Sequence, residues 1–238
     1  MPVELRMWIE VVFNISYLVV VWSLVALMVV HRDRVAPQNR PITDRLAAAF
    51  ALLALGDTGH VGFRVVAYAR GGLEANPVLI GLGALSTAYT VTLFYMLMLD
   101  IWRVRFQKPL GFLGWLSLGA GIVRLAVMAF PQNQWMAVTP PYDWSMLRNG
   151  LLTLQGLIVM YLLLRDGLAE GDQTFTWMGA MVAVSFAFDL PVILFSAAVP
   201  VLGMLMIPKT LAYVAIAIIG YRAYYRGAAA SARLVPAD

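Results

Sequence analysis

Long apolar runs alternate with short polar breaks along the whole chain, and this pattern predicts seven membrane-spanning helices. About 20 mostly apolar residues are needed to cross a bilayer. Seven stretches have that length: about 8–30, 45–67, 78–101, 110–130, 146–165, 174–198 and 200–222. The breaks carry charges or turn residues, and Pro200 separates the last two runs. We therefore expect an all-α, seven-helix membrane bundle that forms one domain over residues 1–238.

Composition supports a membrane location and removes several kinds of site. The chain is 61% hydrophobic and 13% charged, whereas soluble domains average about 25% charged residues. It has no cysteine and only two histidines. Disulfides, thiolate metal sites and cysteine nucleophiles are therefore excluded, and a zinc site with several histidine ligands is not expected. We predict no metal and no cofactor.

Lys and Arg residues collect at one end of the predicted bundle. Eleven lie in the breaks after spans 1, 3 and 5 or in the C-terminal tail: Arg32, Arg34, Arg40, Arg45, Arg103, Arg105, Lys108, Arg165, Arg222, Arg226 and Arg233. Only Arg6 and Arg70 lie at the opposite end. The positive-inside rule then predicts an outer N-terminus and a cytoplasmic C-terminus, in a cell membrane that we expect to be a bacterial inner membrane. Membrane lipids, rather than nucleic acid, are the expected surroundings of these charges.

Ionisable residues in the middle of the second span are the strongest sign of a functional site. Asp57, His60 and Arg64 lie in the run GDTGHVGFR. Their spacings of three and four place them on one face of a helix. Ionisable groups are costly inside a bilayer and usually mark a function. His60 is also able to exchange protons near neutral pH.

Depth estimates bring further polar residues to the same level. A rise of about 1.5 Å per residue places Asp57, Asp189 and Lys209 about 13–15 Å below the outer boundary, and His60 and Arg124 about 9–10 Å below it. Candidate ligand-binding residues are Arg64, Arg124, Asp189, Lys209, Asn14, Gln155 and Tyr213. We expect them to converge on a pocket near the midplane that opens outward. Pro191 and Pro208 are expected to kink the helices beside the buried charges, and Arg148 is expected to snorkel to the interface.

Three functions are compatible with such a pocket. The deep cluster contains two carboxylates and three cations, which favours a small anionic or amphipathic ligand, bound by a transporter or receptor that has protonatable Asp and His groups. Alternatively, Asp57 and His60 act as acid and base in an intramembrane enzyme with a lipid or isoprenoid-like substrate. Whether the chain is an enzyme stays open, as does its oligomeric state.

A third function follows from a resemblance in layout. Seven spans, an outer N-terminus and Lys209 in the middle of span 7 resemble the microbial rhodopsins. The resemblance implies a retinal photoreceptor, with Lys209 as the attachment site. Two positions depart from that family's pattern: Leu205 stands where an Asp usually precedes the lysine by four residues, and the only acidic residue of span 3, Asp100, lies at its cytoplasmic end.

Overall fold

Seven long helices make up the fold in the computed structural model, which describes residues 3–196 and 198–226 without the side chains of residues 3–7, 10 and 200. The helices are α1 (Val3–Val30), α2 (Arg40–Ala69), α3 (Pro77–Phe106), α4 (Gly111–Ala129), α5 (Tyr142–Ala169), α6 (Gln173–Phe195) and α7 (Met206–Tyr221). Within the described residues there is no strand. Seven helical segments are long and apolar enough to cross a membrane. The predicted all-helical architecture with seven spans is therefore confirmed, and the chain is a multi-pass membrane protein. Both ends of the predicted 1–238 domain, including Arg233, lie outside the described residues.

Several helices continue beyond the apolar spans at what we call the arginine-rich end, where α1, α3 and α5 end and α2, α4 and α6 begin. α2 begins at Arg40 instead of residue 45, and α3 continues to Phe106 instead of ending at 101. Hydropathy detects only the apolar part of a helix, whereas backbone hydrogen bonding continues into its polar turns. Ion pairs connect different elements there: Arg32–Asp44, Arg45–Asp100, Arg105–Asp172, Lys108–Asp166 and Lys108–Glu170. Two further pairs, Arg103–Asp100 and Arg165–Asp166, lie within α3 and α5.

The connection between the last two spans bears on the site because it leads directly into Lys209. α6 ends at Phe195, and a 3-10 segment over Pro200–Leu205 precedes α7. The predicted division into two helices is thus confirmed. The predicted kink at Pro208 is wrong, because Pro208 lies in the first turn of α7, where a missing N–H costs no helical hydrogen bond. Pro191 does lie inside α6, near its end.

Close packing of α2 on α3 fixes the position of the second-span charges. A Cβ atom added to Gly56 would lie 1.8 Å from Thr90 Oγ1 and 3.1 Å from Thr87 Cα. A Cβ atom on Gly83 would lie 3.1 Å from His60 Cα. Glycine at these two positions therefore allows the helix backbones to approach, as small residues do in membrane helix pairs.

An aromatic cluster fills the bundle between the candidate site and the arginine-rich end. The ring of Phe94 packs edge-on against Phe50, Tyr95 and Tyr213, with centroid separations of 5.3–5.5 Å. Phe186 packs against Tyr95 from α6. Edge-to-face aromatic pairs of this kind add to the free energy gained by burial. The bundle is consequently tightly packed between the candidate site and the arginine-rich end.

Candidate functional site

Asp57 is held by hydroxyl groups from two neighbouring helices. Tyr17 on α1 donates its hydroxyl to Oδ2 at 2.6 Å, and Thr87 on α3 donates to Oδ1 at 2.8 Å. Both carboxylate oxygens therefore accept hydrogen bonds, but neither bond comes from a charged group. A second bond, from Trp22 Nε1 to Thr58 Oγ1 at 3.0 Å, also joins α1 to α2. The site thus begins where α1, α2 and α3 meet.

Lys209 and Asp189 form a buried ion pair between α7 and α6. Lys209 Nζ donates to Asp189 Oδ1 at 2.8 Å, and the two side chains are 15% and 7% exposed. Lys209 lies in the first turn of α7, where the positive end of the helix dipole disfavours a cation. Asp189 offsets that repulsion. Lys209 also lies within electrostatic reach of Asp57, so the two carboxylates share one lysine.

His60 follows Asp57 by one helical turn, and one nitrogen of its ring has no hydrogen-bond partner within the described residues. Its ring is hydrogen bonded to the backbone of Gly83, and Lys209 and Arg64 lie within electrostatic reach. The Nδ1 atom is buried and has no hydrogen-bond partner among residues 3–196 and 198–226. Buried polar atoms without a partner are rare in native proteins and call for an explanation.

Tyr213 extends the polar centre toward the aromatic cluster. Its hydroxyl lies 2.9 Å from the hydroxyl of Tyr95 on α3 and is also hydrogen bonded to Ser185 on α6. Lys209 and Asp189 both lie within electrostatic reach of this hydroxyl. Tyr213 therefore closes the site on the side of the arginine-rich end.

Arg124 lies on the α3–α4–α5 side of the bundle and binds neutral acceptors. Its Nε donates to the carbonyl of Arg148 at 2.8 Å, and its Nη1 donates to the carbonyl of Ala88 at 2.7 Å and to Thr92 Oγ1. Asp189 lies within electrostatic reach but does not hydrogen bond to it. Arg124 is thus a buried cation that borders the site and ties three helices together.

The predicted snorkelling of Arg148 is wrong. Its side chain turns inward, stacks over Trp135 at 4.3 Å, and donates to Asn133 Oδ1 at 3.0 Å and Ser145 Oγ at 2.9 Å. These contacts anchor the segment between α4 and α5 and replace the interfacial water that a snorkelling arginine would seek. Arg148 therefore has a structural role, since it holds this segment in place.

The remaining candidate residues lie at the margins of the site. Gln155 is fully buried beside α3 and α4, where its Nε2 donates to the carbonyl of Thr92 at 3.3 Å and its Oε1 has no partner within the described part of the chain. Arg64 is partly exposed, one turn beyond His60. Asn14 is also partly exposed and precedes Tyr17 by three residues on α1. Gln155 belongs with Arg124, whereas Arg64 and Asn14 lie toward the end opposite the arginine-rich end.

The polar centre, as we use the term below, consists of the residues that the structure brings together from five helices: Tyr17, Asp57, His60, Thr87, Tyr95, Ser185, Asp189, Lys209 and Tyr213. Apart from Tyr213, the hydroxyl-bearing residues were absent from the candidates drawn from the sequence. Ser and Thr in apolar helices give no signal of their own, since they commonly bond the backbone of the preceding turn, as Thr90 and Thr92 do here. No group of three His, Asp or Glu side chains in the described ranges is placed to hold a metal ion.

Two clefts are present at the arginine-rich end, away from the polar centre. One, of about 280 Å³, lies between α1 and α2 and is bordered by Arg32, Asp44 and Tyr225. The other, of about 310 Å³, lies where α3, α4 and α5 meet, beside Lys108 and Arg165. Neither is lined by a residue of the polar centre.

The chain's own geometry carries the functional argument. Comparisons with protein-family models, with curated proteins and with solved structures found no significant match. The polar centre must therefore be interpreted from its charges, its hydrogen bonds and the atoms it leaves unpartnered.

Proposed function

We propose that the chain binds a small anionic or amphipathic molecule at the polar centre, as a transporter or receptor whose Asp57, His60 and Asp189 exchange protons. The ligand would come from the side opposite the arginine-rich end. By the distribution of Lys and Arg, that side is the outer one, with the N-terminus outside and the C-terminus in the cytoplasm of a bacterial inner membrane.

The buried Nδ1 of His60 is the observation that carries this proposal. His60 lies one helical turn from Asp57 and within electrostatic reach of Lys209, and these two groups are already engaged: Asp57 accepts two hydrogen bonds, and Lys209 is paired with Asp189. An unpartnered buried nitrogen beside them costs free energy unless something binds there. A ligand that donates a hydrogen bond, or a proton shared with the ligand, would satisfy it.

The charged residues in and around the polar centre favour an anionic ligand that enters from the side opposite the arginine-rich end. Asp57 and Asp189 are balanced within the bundle by Lys209 and Arg124, and Arg64 adds a positive charge one turn beyond His60. The polar centre itself holds two carboxylates and one lysine, so protonation of one carboxylate would make it neutral, with the cations Arg124 and Arg64 at its border. Binding of an anion and uptake of a proton would then support each other, which is how a protonatable site couples the two.

Ligand-dependent stabilisation of purified protein tests the proposal. We expect at least one carboxylate or phosphate compound, in a panel that includes fatty acids and isoprenoid phosphates, to raise the melting temperature in detergent. His60→Ala should remove most of that shift. His31→Ala is the matched control, because the other histidine lies at the arginine-rich end, bonded to Tyr221 at 2.6 Å, and its loss should leave the shift unchanged.

Two outcomes would contradict this function. The first is a folded protein that no member of the panel stabilises. The second is a shift that His60→Ala and His31→Ala reduce equally, because the ligand would then bind elsewhere or the variants would act through general stability.

The enzyme alternative is favoured by one specific feature, the free Nδ1 of His60 one helical turn from Asp57. A neutral imidazole nitrogen without a partner is able to accept a proton from a substrate, and the carboxylate beside it is able to orient or return one. Product analysis on the same panel separates the two functions. Chemical conversion that depends on His60 supports catalysis, whereas stabilisation without conversion supports binding.

The retinal alternative receives less support from the geometry. Leu205 belongs to the 3-10 segment before α7, and Asp100 pairs with Arg45 and Arg103 at the arginine-rich end. The only feature in its favour is the pairing of Lys209 with Asp189. Retinal added to the panel decides the matter, since a protonated Schiff base on Lys209 would give a red-shifted visible band.

A further inference from the structure

The cleft between α3, α4 and α5 combines an apolar wall with two cations. It measures about 310 Å³ and is lined by Trp102, Lys108, Pro109, Leu110, Gly111, Phe112, Leu113, Leu162 and Arg165. The apolar side chains form its sides, and Lys108 and Arg165 are its only charged lining groups within the described residues. The cleft lies where α3 ends and α4 begins, at the junction of two helices that are long and apolar enough to span a membrane.

Lys108 and Arg165 are both charged, and the carboxylate of Asp166 holds them in place. Asp166, whose side chain is 4% exposed, receives bonds from Arg165 at 2.8 Å, from Lys108 at 3.1 Å and from Trp102 Nε1 at 2.8 Å. Hydrogen bonds to Glu170 and Asp166 raise the pKa of Lys108 above its ordinary value. Neither acid lines the cleft, so the charged groups that face a ligand are both cations, although Asp166 and Glu170 pair with them outside the lining.

The second cleft, at the same end of the bundle, provides a contrast of similar size. It is lined by Arg32 and Asp44, which form a bidentate pair with both bonds at 2.7 Å, together with apolar residues of α1 and α2. Its charged groups cancel at the cleft surface itself. The first cleft therefore presents two cations to a ligand, whereas the second presents a cation already paired with a carboxylate in the same lining.

We propose that the cleft beside Lys108 and Arg165 binds an anionic phospholipid, with its phosphate at the two cations and an acyl chain along Leu110, Leu113 and Leu162. The surrounding charge favours this occupant, since residues 32–45, 100–108, 165–172 and 222–226 hold ten Lys and Arg against six Asp and Glu. The apolar wall favours a lipid over free phosphate, because a bare ion would leave that wall unoccupied. The site is separate from the polar centre and does not depend on the ligand proposed there.

Lipid titration of delipidated protein, followed by native mass spectrometry, tests the proposal. We expect phosphatidylglycerol to bind roughly tenfold more tightly than phosphatidylcholine with matched chains, since each basic side chain near a membrane surface favours anionic lipid. The double variant Lys108→Gln/Arg165→Gln should abolish this preference. Arg32→Gln, at the contrasting cleft, should leave it intact.

Phe112→Asp keeps the test decisive if the double variant folds poorly. The side chain of Phe112 is 80% exposed, and an acidic residue is favourable in the first turn of a helix, so folding should be unaffected. The new carboxylate would repel the lipid phosphate and reduce the preference at least severalfold. Equal affinity for both lipids, a preference that survives both variants, or complete displacement of the lipid by inorganic phosphate would each overturn the proposal.

Discussion

Replacing Lys209 by methionine is expected to lower the free energy of unfolding by about 3–5 kcal/mol, the cost of leaving one member of a buried ion pair alone. The Asp189 carboxylate would remain buried without a hydrogen bond from a cation, since Arg124 reaches it only electrostatically. Asp57 would lose the same positive charge. Reversible unfolding in mixed micelles, followed by circular dichroism, measures the effect.

A double variant separates the structural part of this pair from its functional part. Lys209→Met with Asp189→Leu removes both charges, and the stability of buried pairs replaced by apolar residues is usually regained. We expect most of the lost free energy to return while ligand-dependent stabilisation remains absent. Restored ligand binding in the double variant would show that the pair serves packing alone.

Lys108→Met is the control matched in chemistry. It breaks two ion pairs, with Asp166 and Glu170, at a side chain that is 36% exposed, where such pairs contribute about 0–1 kcal/mol each. A Lys209→Met variant that costs no more than this control would contradict the assignment of a buried, strongly coupled pair.

The spans could be predicted because hydropathy averaged over a window of about 20 residues defines them. The relative depth of the central charges could be estimated because it depends only on their position within a span. An apolar run of about 20 residues is most stable inside a bilayer, and the helical rise per residue converts the position of a residue in that run into its depth. Asp57, Asp189 and Lys209 were expected at one level, and in the structure Lys209 pairs with Asp189 and lies within electrostatic reach of Asp57. Ends of helices were less predictable, because polar turns at the arginine-rich end remain helical through ion pairs between helices.

The orientation of individual side chains could not be predicted from depth. Arg124 and Gln155 were expected in the pocket but face the α3–α5 side, where backbone carbonyls accept their hydrogen bonds. Arg148 has a partner in Asn133, fifteen residues earlier and in a different element. Depth is one coordinate, whereas the angle around the bundle depends on which helices pack together.

The glycines of the second span are a second case in which the sequence of one helix does not define where its side chains lie. In the run GDTGHVGFR the charged residues attract attention, yet Gly56 decides where they lie, because it allows α3 to approach α2. That approach places Thr87 against Asp57. The sequence contains this information only jointly with the register of α3, which no single-helix pattern defines.

Gly56→Ala is therefore expected to destabilise the fold by about 1–3 kcal/mol, the usual cost of overpacking a well-packed contact. The added methyl would meet Thr90 Oγ1 at 1.8 Å, Thr90 Cβ at 2.9 Å and Thr87 Cα at 3.1 Å. Because one of these atoms belongs to the backbone, rotation of the Thr90 side chain cannot relieve the contact fully. α3 must move away, which lengthens the Thr87–Asp57 hydrogen bond and weakens ligand-dependent stabilisation as well.

Gly62→Ala provides the control within the same helix, because a Cβ atom there has no neighbour within 4 Å. Alanine in a helix interior is favoured over glycine by roughly 0.5–1 kcal/mol, so this variant should be neutral or slightly more stable. Thr90→Ala added to Gly56→Ala should recover only part of the loss, since Thr90 Cβ and Thr87 Cα remain in place. Full recovery in that double variant would show that the side chain alone was in the way, and that the backbones of α2 and α3 do not need glycine to bring Thr87 to Asp57.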